Sequence, residues 1–165
     1  ENYPAFEERL SYLGLTDPLH AYSLQPAKVE WVRRTQYLFS FMDSANLCQL
    51  CWGASWTLYG PQDMVKLVKA VTGWDMSIDE ILQVGERRLV MMRLFNQREG
   101  FGAKDDSLPE KFFNQPLQGG VSDQVTVDKA EFDAAMVEYY RQSGWDETSG
   151  HPTSETVARL GLEAL

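Results

Sequence analysis

Apolar residues along this chain recur every three to four positions far more often than they alternate, so the pattern predicts helices and almost no strand. Pro26 opens the first strong segment, in which Val29, Val32, Arg33, Gln36, Leu38, Phe39 and Met42 fall at helical spacing up to Asp43. Pro61 opens a second, where Met64, Val65, Val68 and Val71 make an apolar stripe that stops at Gly73, a residue suited to the left-handed turn ending many helices. Ser77 and Glu80 form an S-x-x-E capping pattern ahead of the longest segment, Ile78 to Asn96, with Ile81, Val84, Leu89, Met92 and Phe95 on its apolar face. Asp128 with Glu131 marks a further start, followed by Phe132, Met136, Tyr139 and Tyr140 and closed by Gly144. A short last helix follows Thr153 through Val157 and Leu160. The predicted architecture is therefore all-α and irregular, six or seven helices around the long central one. The polar, Gly- and Pro-containing stretch from Gly100 to Gln124 is too long for an ordinary turn and is predicted to wrap over the helices.

Composition narrows the function more than the fold. A chain of 165 residues with 44% hydrophobic content can fill the core of one domain or a compact pair. A net charge of −9 opposes contact with phosphate backbones, so nucleic acid is excluded as a partner. No run approaches the roughly 20 apolar residues a bilayer crossing needs, which excludes a membrane partner too. The start, Glu1-Asn2-Tyr3-Pro4, has neither an initiator Met nor a signal pattern, and the expectation is a cytoplasmic piece of something longer.

Cys48 and Cys51 are the only cysteines, too few for a disulfide framework. Their C-x-x-C spacing serves thioredoxin-like redox sites, half of a zinc site and parts of iron-sulfur sites. A thioredoxin-like site needs a preceding strand, whereas the residues before Cys48 read as helix. Zinc needs two further ligands, and the two histidines, His20 and His151, stand at no recognised spacing. Two small hydrophobes buried at a helix end remain a further reading. Any centre needing four thiolates must borrow ligands from outside the chain.

Two segments carry more information than the cysteine spacing. Asp43-Ser44-Ala45-Asn46-Leu47-Cys48 resembles a D-x-x-G-L-C motif, and Arg93 to Phe101 resembles R-x-F-N-x-R-E-G-F. Between and beyond them lie Thr72-Gly73-Trp74-Asp75, Gly85-Glu86-Arg87, Lys104-Asp105-Asp106-Ser107-Leu108-Pro109, Tyr139-Tyr140 with Gly144-Trp145-Asp146, and Leu160-Gly161-Leu162. In this order they resemble the carboxy-terminal part of the tungsten-pterin aldehyde:ferredoxin oxidoreductase family. The resemblance implies that residues 1–165 are an all-α C-terminal helical domain, a fragment whose upstream pterin- and cluster-binding parts lie outside it.

The chemistry so implied is oxidation of an aldehyde to a carboxylic acid, with electrons leaving through a [4Fe-4S] cluster to ferredoxin or another electron-transfer subunit. In the parent, a tungsten-bis-pterin cofactor would take the electrons first. The resemblance makes Cys48 the fourth cluster ligand, lets Asp43 hydrogen-bond a pterin, and sets the backbone of Leu47 against it. No catalytic residue is assigned, and the isolated chain is expected to hold no cofactor and to be inactive. Its partners would be the upstream domains of the same parent.

Two departures stand out: Asn46 replaces the motif's glycine, and Cys51-Trp52-Gly53-Ala54-Ser55-Trp56 is not the expected continuation. They leave room for a tungsten subunit of the benzoyl-coenzyme A reductase type, or for a stand-alone helical scaffold domain without catalysis. Asn46 is tolerable where the backbone is left-handed, because asparagine visits that region more readily than most residues. A missing domain predicts an exposed apolar patch around Leu47, Cys48, Leu50 and Trp52. Arg93, Arg98, Glu99, Asp105 and Asp106 read as structural, binding carbonyls and one another and pinning the polar loop.

Overall fold

The computed structural model describes residues 4–17, 19–52 and 58–164. Eight α-helical segments occur among them: α1 (Pro4–Ser11), α2 (Pro26–Ser44), α3 (Gln49–Trp52), α4 (Pro61–Thr72), α5 (Ile78–Arg98), α6 (Lys111–Asn114), α7 (Lys129–Ser143) and α8 (Ser154–Arg159). Two single 3₁₀ turns, Ala103–Asp105 and Gly120–Ser122, complete the regular structure. No strand is present among the described residues, only an isolated bridge between Trp145 and Pro152. The all-α reading holds, with α3 and α6 as single extra turns and α1 as the helix the apolar pattern did not announce.

The helix ends follow the local chemistry of the sequence. Ser77 Oγ accepts from the Glu80 N–H at 3.2 Å while the Glu80 carboxylate accepts from the Ser77 N–H at 2.7 Å, so the capping box of α5 is complete. Asp128 caps α7 through the Glu131 N–H at 2.8 Å. Gly73 and Gly144 close α4 and α7 in the left-handed conformation.

The main core gathers Leu10, Leu13, Leu38, Phe41, Met42, Met64, Ile81 and Leu82 from α1, the turn after it, α2, α4 and α5. A second, small cluster of Val90, Leu160 and Leu162 lies under the C-terminal segment. α2 makes its most extensive contact with α5. Their close approach centres on Gly85, where a Cβ would sit 1.8 Å from the Tyr37 carbonyl oxygen and 3.0 Å from the Phe41 nitrogen. Ser40 Oγ donates to the Gly85 carbonyl at 2.8 Å in the same place. Because the missing side chain draws α5 onto this side of α2, Tyr37, Ser40 and Phe41 are buried, while Val32 and Gln36, expected on the inner face, are exposed.

The inward face of α5 also differs from the apolar stripe read in the sequence. Val84, Met92 and Phe95 are exposed, Phe95 by 57%, whereas Glu86 and Arg93 are buried. Both buried charges are paired, which is the condition for burying them. Glu86 takes a two-pronged bond from Arg159 at 2.7 and 3.0 Å. Arg93 does the same with Asp106 at 2.6 and 3.0 Å, and its Nε donates to the Gly150 carbonyl at 2.8 Å. The expected carbonyl contact of Arg93 is present, but its acidic partner is Asp106, not Glu99. Asp105, beside it, accepts from the Gly102 N–H at 2.9 Å. These bonds pin the start of the long polar stretch to α5, and the Phe113 ring packs against Phe132 of α7 at 5.6 Å.

Candidate functional site

The end of α2 and the start of α3 carry all three residues singled out as site candidates. α2 stops in a Schellman motif. The Leu47 N–H donates to the Met42 carbonyl at 2.9 Å and the Asn46 N–H to the Asp43 carbonyl at 3.4 Å, with Asn46 at φ +55°. The left-handed residue that the motif requires is thus supplied by asparagine where the pattern has glycine. Leu47, on the far side of the turn, packs half-buried against the core cluster containing Met42, the hydrophobic contact that accompanies such turns. Reversal of the chain then delivers Cys48, whose carbonyl accepts from the N–H groups of Cys51 and Trp52, both at 3.0 Å, to start α3.

Asp43 sits in the last turn of α2 with its carboxylate about half exposed and ion-paired to Arg88 at 3.1 Å. Arg88 Nη1 also reaches Ser40 Oγ at 3.4 Å. The chain Asp43–Arg88–Ser40–Gly85 therefore ties the carboxylate to the contact point of α2 and α5. Neither Arg88 nor Ser40 figured in the sequence reading. The signal existed, because Gly85 and Arg88 are three apart on α5 and Ser40 and Asp43 are three apart on α2, so each pair shares a helix face.

Cys48 and Cys51 are both free and exposed, which removes the reading of two small buried hydrophobes. The anticipated exposed patch is mixed. Leu50 is 94% exposed, while Leu47 and Trp52 are half-buried against the main core, Trp52 stacking on Tyr59 at 4.7 Å. Gly53 to Trp56, the rest of the unexpected continuation, lie outside the described residues. His20 stands apart from this turn, in contact with Tyr22. A groove of about 380 Å³ bordered by α2, α5 and α7 is lined by Gln36, Met92, Arg93, Tyr139 and Trp145 and does not include the Asp43–Cys48 turn.

The donor set fits a shared centre better than a self-contained one. Among the described residues no three His, Cys, Asp or Glu side chains come together to hold a metal. One exposed thiol suits a single corner of an iron-sulfur cube whose other ligands come from elsewhere. A half-exposed carboxylate ion-paired to an arginine suits the N–H donors of a pterin ring. No helix among the described residues is long and apolar enough to cross a membrane.

Among the described residues the chain is a strand-free helical domain that presents a carboxylate and a thiol from one turn. The chain belongs to the family described as aldehyde ferredoxin oxidoreductase, domains 2 & 3, whose model matches residues 1–162. The tungsten-containing aldehyde ferredoxin oxidoreductase of Pyrococcus furiosus is 32% identical over 163 residues, 98% of this chain and 25% of that protein. The corresponding protein of Thermococcus kodakarensis is 31% identical over the same length. A more distant relative, the WOR-like subunit of an aliphatic sulfonate oxidoreductase from Pyrococcus furiosus, is 26% identical over 129 residues, 74% of this chain. Among solved structures, the BamBC active-site complex of benzoyl-coenzyme A reductase shares the fold at a TM-score of 0.66 and 19% identity, over 98% of this chain and 26% of that one. The chain thus spans about a quarter of the length of the curated relatives it matches.

Proposed function

We propose that this chain is the part of a tungstopterin iron-sulfur oxidoreductase that closes the cofactor site from one side, in a cytoplasmic parent oxidising aldehydes to carboxylic acids. Electrons would pass to ferredoxin or to an electron-transfer subunit. The observation that carries the reading is the Schellman turn, which locks Asp43, Leu47 and Cys48 into one rigid reversal inside a family match running nearly the whole chain. When bound, the tungsten-pterin group supplies the two-electron oxidation and the cluster accepts the electrons.

The roles of this chain's own residues follow from their chemistry. The Cys48 thiolate is a soft donor suited to cluster iron, and its exposure lets it meet a cluster carried by other cysteines. The ion pair with Arg88 holds the Asp43 carboxylate in place, with oxygen lone pairs left to accept from pterin N–H groups. Leu47 has its N–H committed to Met42, and the backbone contact it offers a pterin is its carbonyl. The fold shared with the benzoyl-coenzyme A reductase complex carries no substrate assignment.

The test is metal and iron analysis of the full-length parent and three variants. Cys48→Ala is expected to lose most cluster iron and turnover, and Asp43→Ala to lose tungsten and pterin while unfolding like wild type. Cys51→Ala should keep its cluster. Full iron occupancy in the Cys48 variant would remove this reading of the turn.

A further inference from the structure

Cys51 has no part in the function proposed above, yet the fold sets it beside Cys48 and leaves both thiols open to solvent. The Cys51 N–H donates to the Cys48 carbonyl at 3.0 Å, closing an i to i+3 turn that the Trp52 N–H reinforces at the same distance. Side chains three apart on such a turn have Cβ atoms about 5–6 Å from each other. That spacing is within about an ångström or two of what a disulfide needs, so a small rotation of α3, a single turn, joins the sulfurs. α3 is anchored at its far end by Trp52, half-buried against the core, while Gln49, Leu50 and Cys51 ahead of it are all exposed, so the turn can rotate about that end. The preceding Schellman turn is anchored by Leu47 in the core, so the movement stops at Cys48.

We propose that Cys48 and Cys51 form a reversible disulfide whenever the cluster is absent, withholding the Cys48 corner from cluster assembly until the pair is reduced. The inference rests on Cys48 being the cluster ligand. The oxidant is a low-molecular-weight disulfide of the glutathione type. One protein thiolate attacks it and releases one small thiol, leaving a mixed disulfide on the protein. The second protein thiolate then attacks the protein sulfur of that bond, forming Sγ–Sγ and releasing the second small thiol. Two protein thiols are oxidised, one external disulfide is reduced to two thiols, and both protons end on the released thiols. A loop closed in this way holds only two residues between the cysteines and is readily reopened by excess thiol, which suits a switch rather than a structural staple. With Cys48 engaged on iron, a mixed disulfide formed at Cys51 would find no second thiolate to close the ring.

The experiment uses the full-length parent stripped of iron by a chelator, treated with glutathione disulfide, and mapped by peptide mass. The expected product is one peptide spanning residues 48–51 that is lighter by two hydrogens, carries no glutathione, and takes up a thiol label only after reduction. Cys51→Ser should instead retain glutathione on Cys48. Reconstitution with ferrous iron and sulfide should give at least tenfold less cluster in the oxidised wild type than in the same sample after reduction. Glutathione on both cysteines, an unmodified pair, a cross-link to a cysteine elsewhere, or full reconstitution without reductant would each overturn the proposal. Iron content of the never-oxidised Cys48→Ala parent separates this from the reading it rests on. Retention of the cluster there removes Cys48 as ligand, whatever the disulfide map shows.

Discussion

Arg93 and Asp106 face each other through two parallel bonds of 3.0 and 2.6 Å, with the arginine side chain 9% exposed and the aspartate 25%. Tyr140 adds its hydroxyl to the same carboxylate at 2.6 Å, and the guanidinium lies over the Trp145 ring at 5.2 Å. One pair thereby holds α5, the polar loop, α7 and the turn before α8 at a single point. Removing the carboxylate leaves a buried cation unmatched. Asp106→Asn is expected to cost about 3 kcal/mol in urea unfolding. Asp79→Asn is the control, because its partner Arg34 is 3.6 Å away and Asp79 is 81% exposed. That change should stay within about 0.5 kcal/mol.

Acid should unfold the protein through the same residue. Burial pushes the Asp106 carboxyl up, but the bonds from Arg93 and Tyr140 outweigh it and hold the group below its usual range. Asp63 is lowered too, first by its bond from the Gly60 N–H. A depressed carboxyl contributes stability that is complete above the unfolded value, near ~4 for aspartate, and lost as pH falls through the folded one. Urea midpoints measured downward from pH 7 should hold until about pH 5, then decline. Asp106→Asn should show a shallower decline, and equal slopes would contradict the assignment.

Gly85 is expected to be the least replaceable small residue of the α2–α5 contact. A methyl group there meets the Tyr37 carbonyl at 1.8 Å, and backbone cannot rotate away as a side chain can. Gly85→Ala should therefore destabilise by about 3 kcal/mol, despite alanine's better helix propensity. Gly100→Ala makes a useful contrast, since nothing lies within 4 Å of that Cβ and its cost is the φ of +87° alone.

Asn46 tests the turn itself. Asn46→Gly, which restores the family's residue, should leave stability unchanged or raise it by up to about 1 kcal/mol. Asn46→Val places a β-branched residue at φ +55° and should cost about 1–2 kcal/mol. In the full-length parent the valine variant is also expected to lower cluster content, because the reversal that presents Cys48 loosens.

Helix existence was legible in this sequence because the caps are local. Ser77, Asp128, Gly73 and Gly144 each fix an end with bonds to residues within four positions. Helix facing was less so. The burial of Glu86 and Arg93 depends on Arg159 and Asp106, 73 and 13 residues away, and no periodicity carries such a pairing. The choice of Tyr37 over Gln36 as an inward residue depends on a hydrogen atom in place of a side chain at Gly85. At the site, the spacing of Asp43, Leu47 and Cys48 showed that they share one turn, and the asparagine hinted at its hand. Arg88 was hidden because an arginine beside a G-E-R run looks like solvated surface until α2 is laid against α5.

The smaller apolar cluster, Val90, Leu160 and Leu162, is closed over by only six residues of helix and by the Arg159–Glu86 clasp. That makes the C-terminal segment a breathing unit of its own. Its amides have a short, separable set of contacts to lose, whereas those of α2 cannot exchange without parting the main core under the Asp43 turn. Amide exchange is therefore expected to reach α8 before the buried stretch of α2 that carries the Asp43 turn at its end.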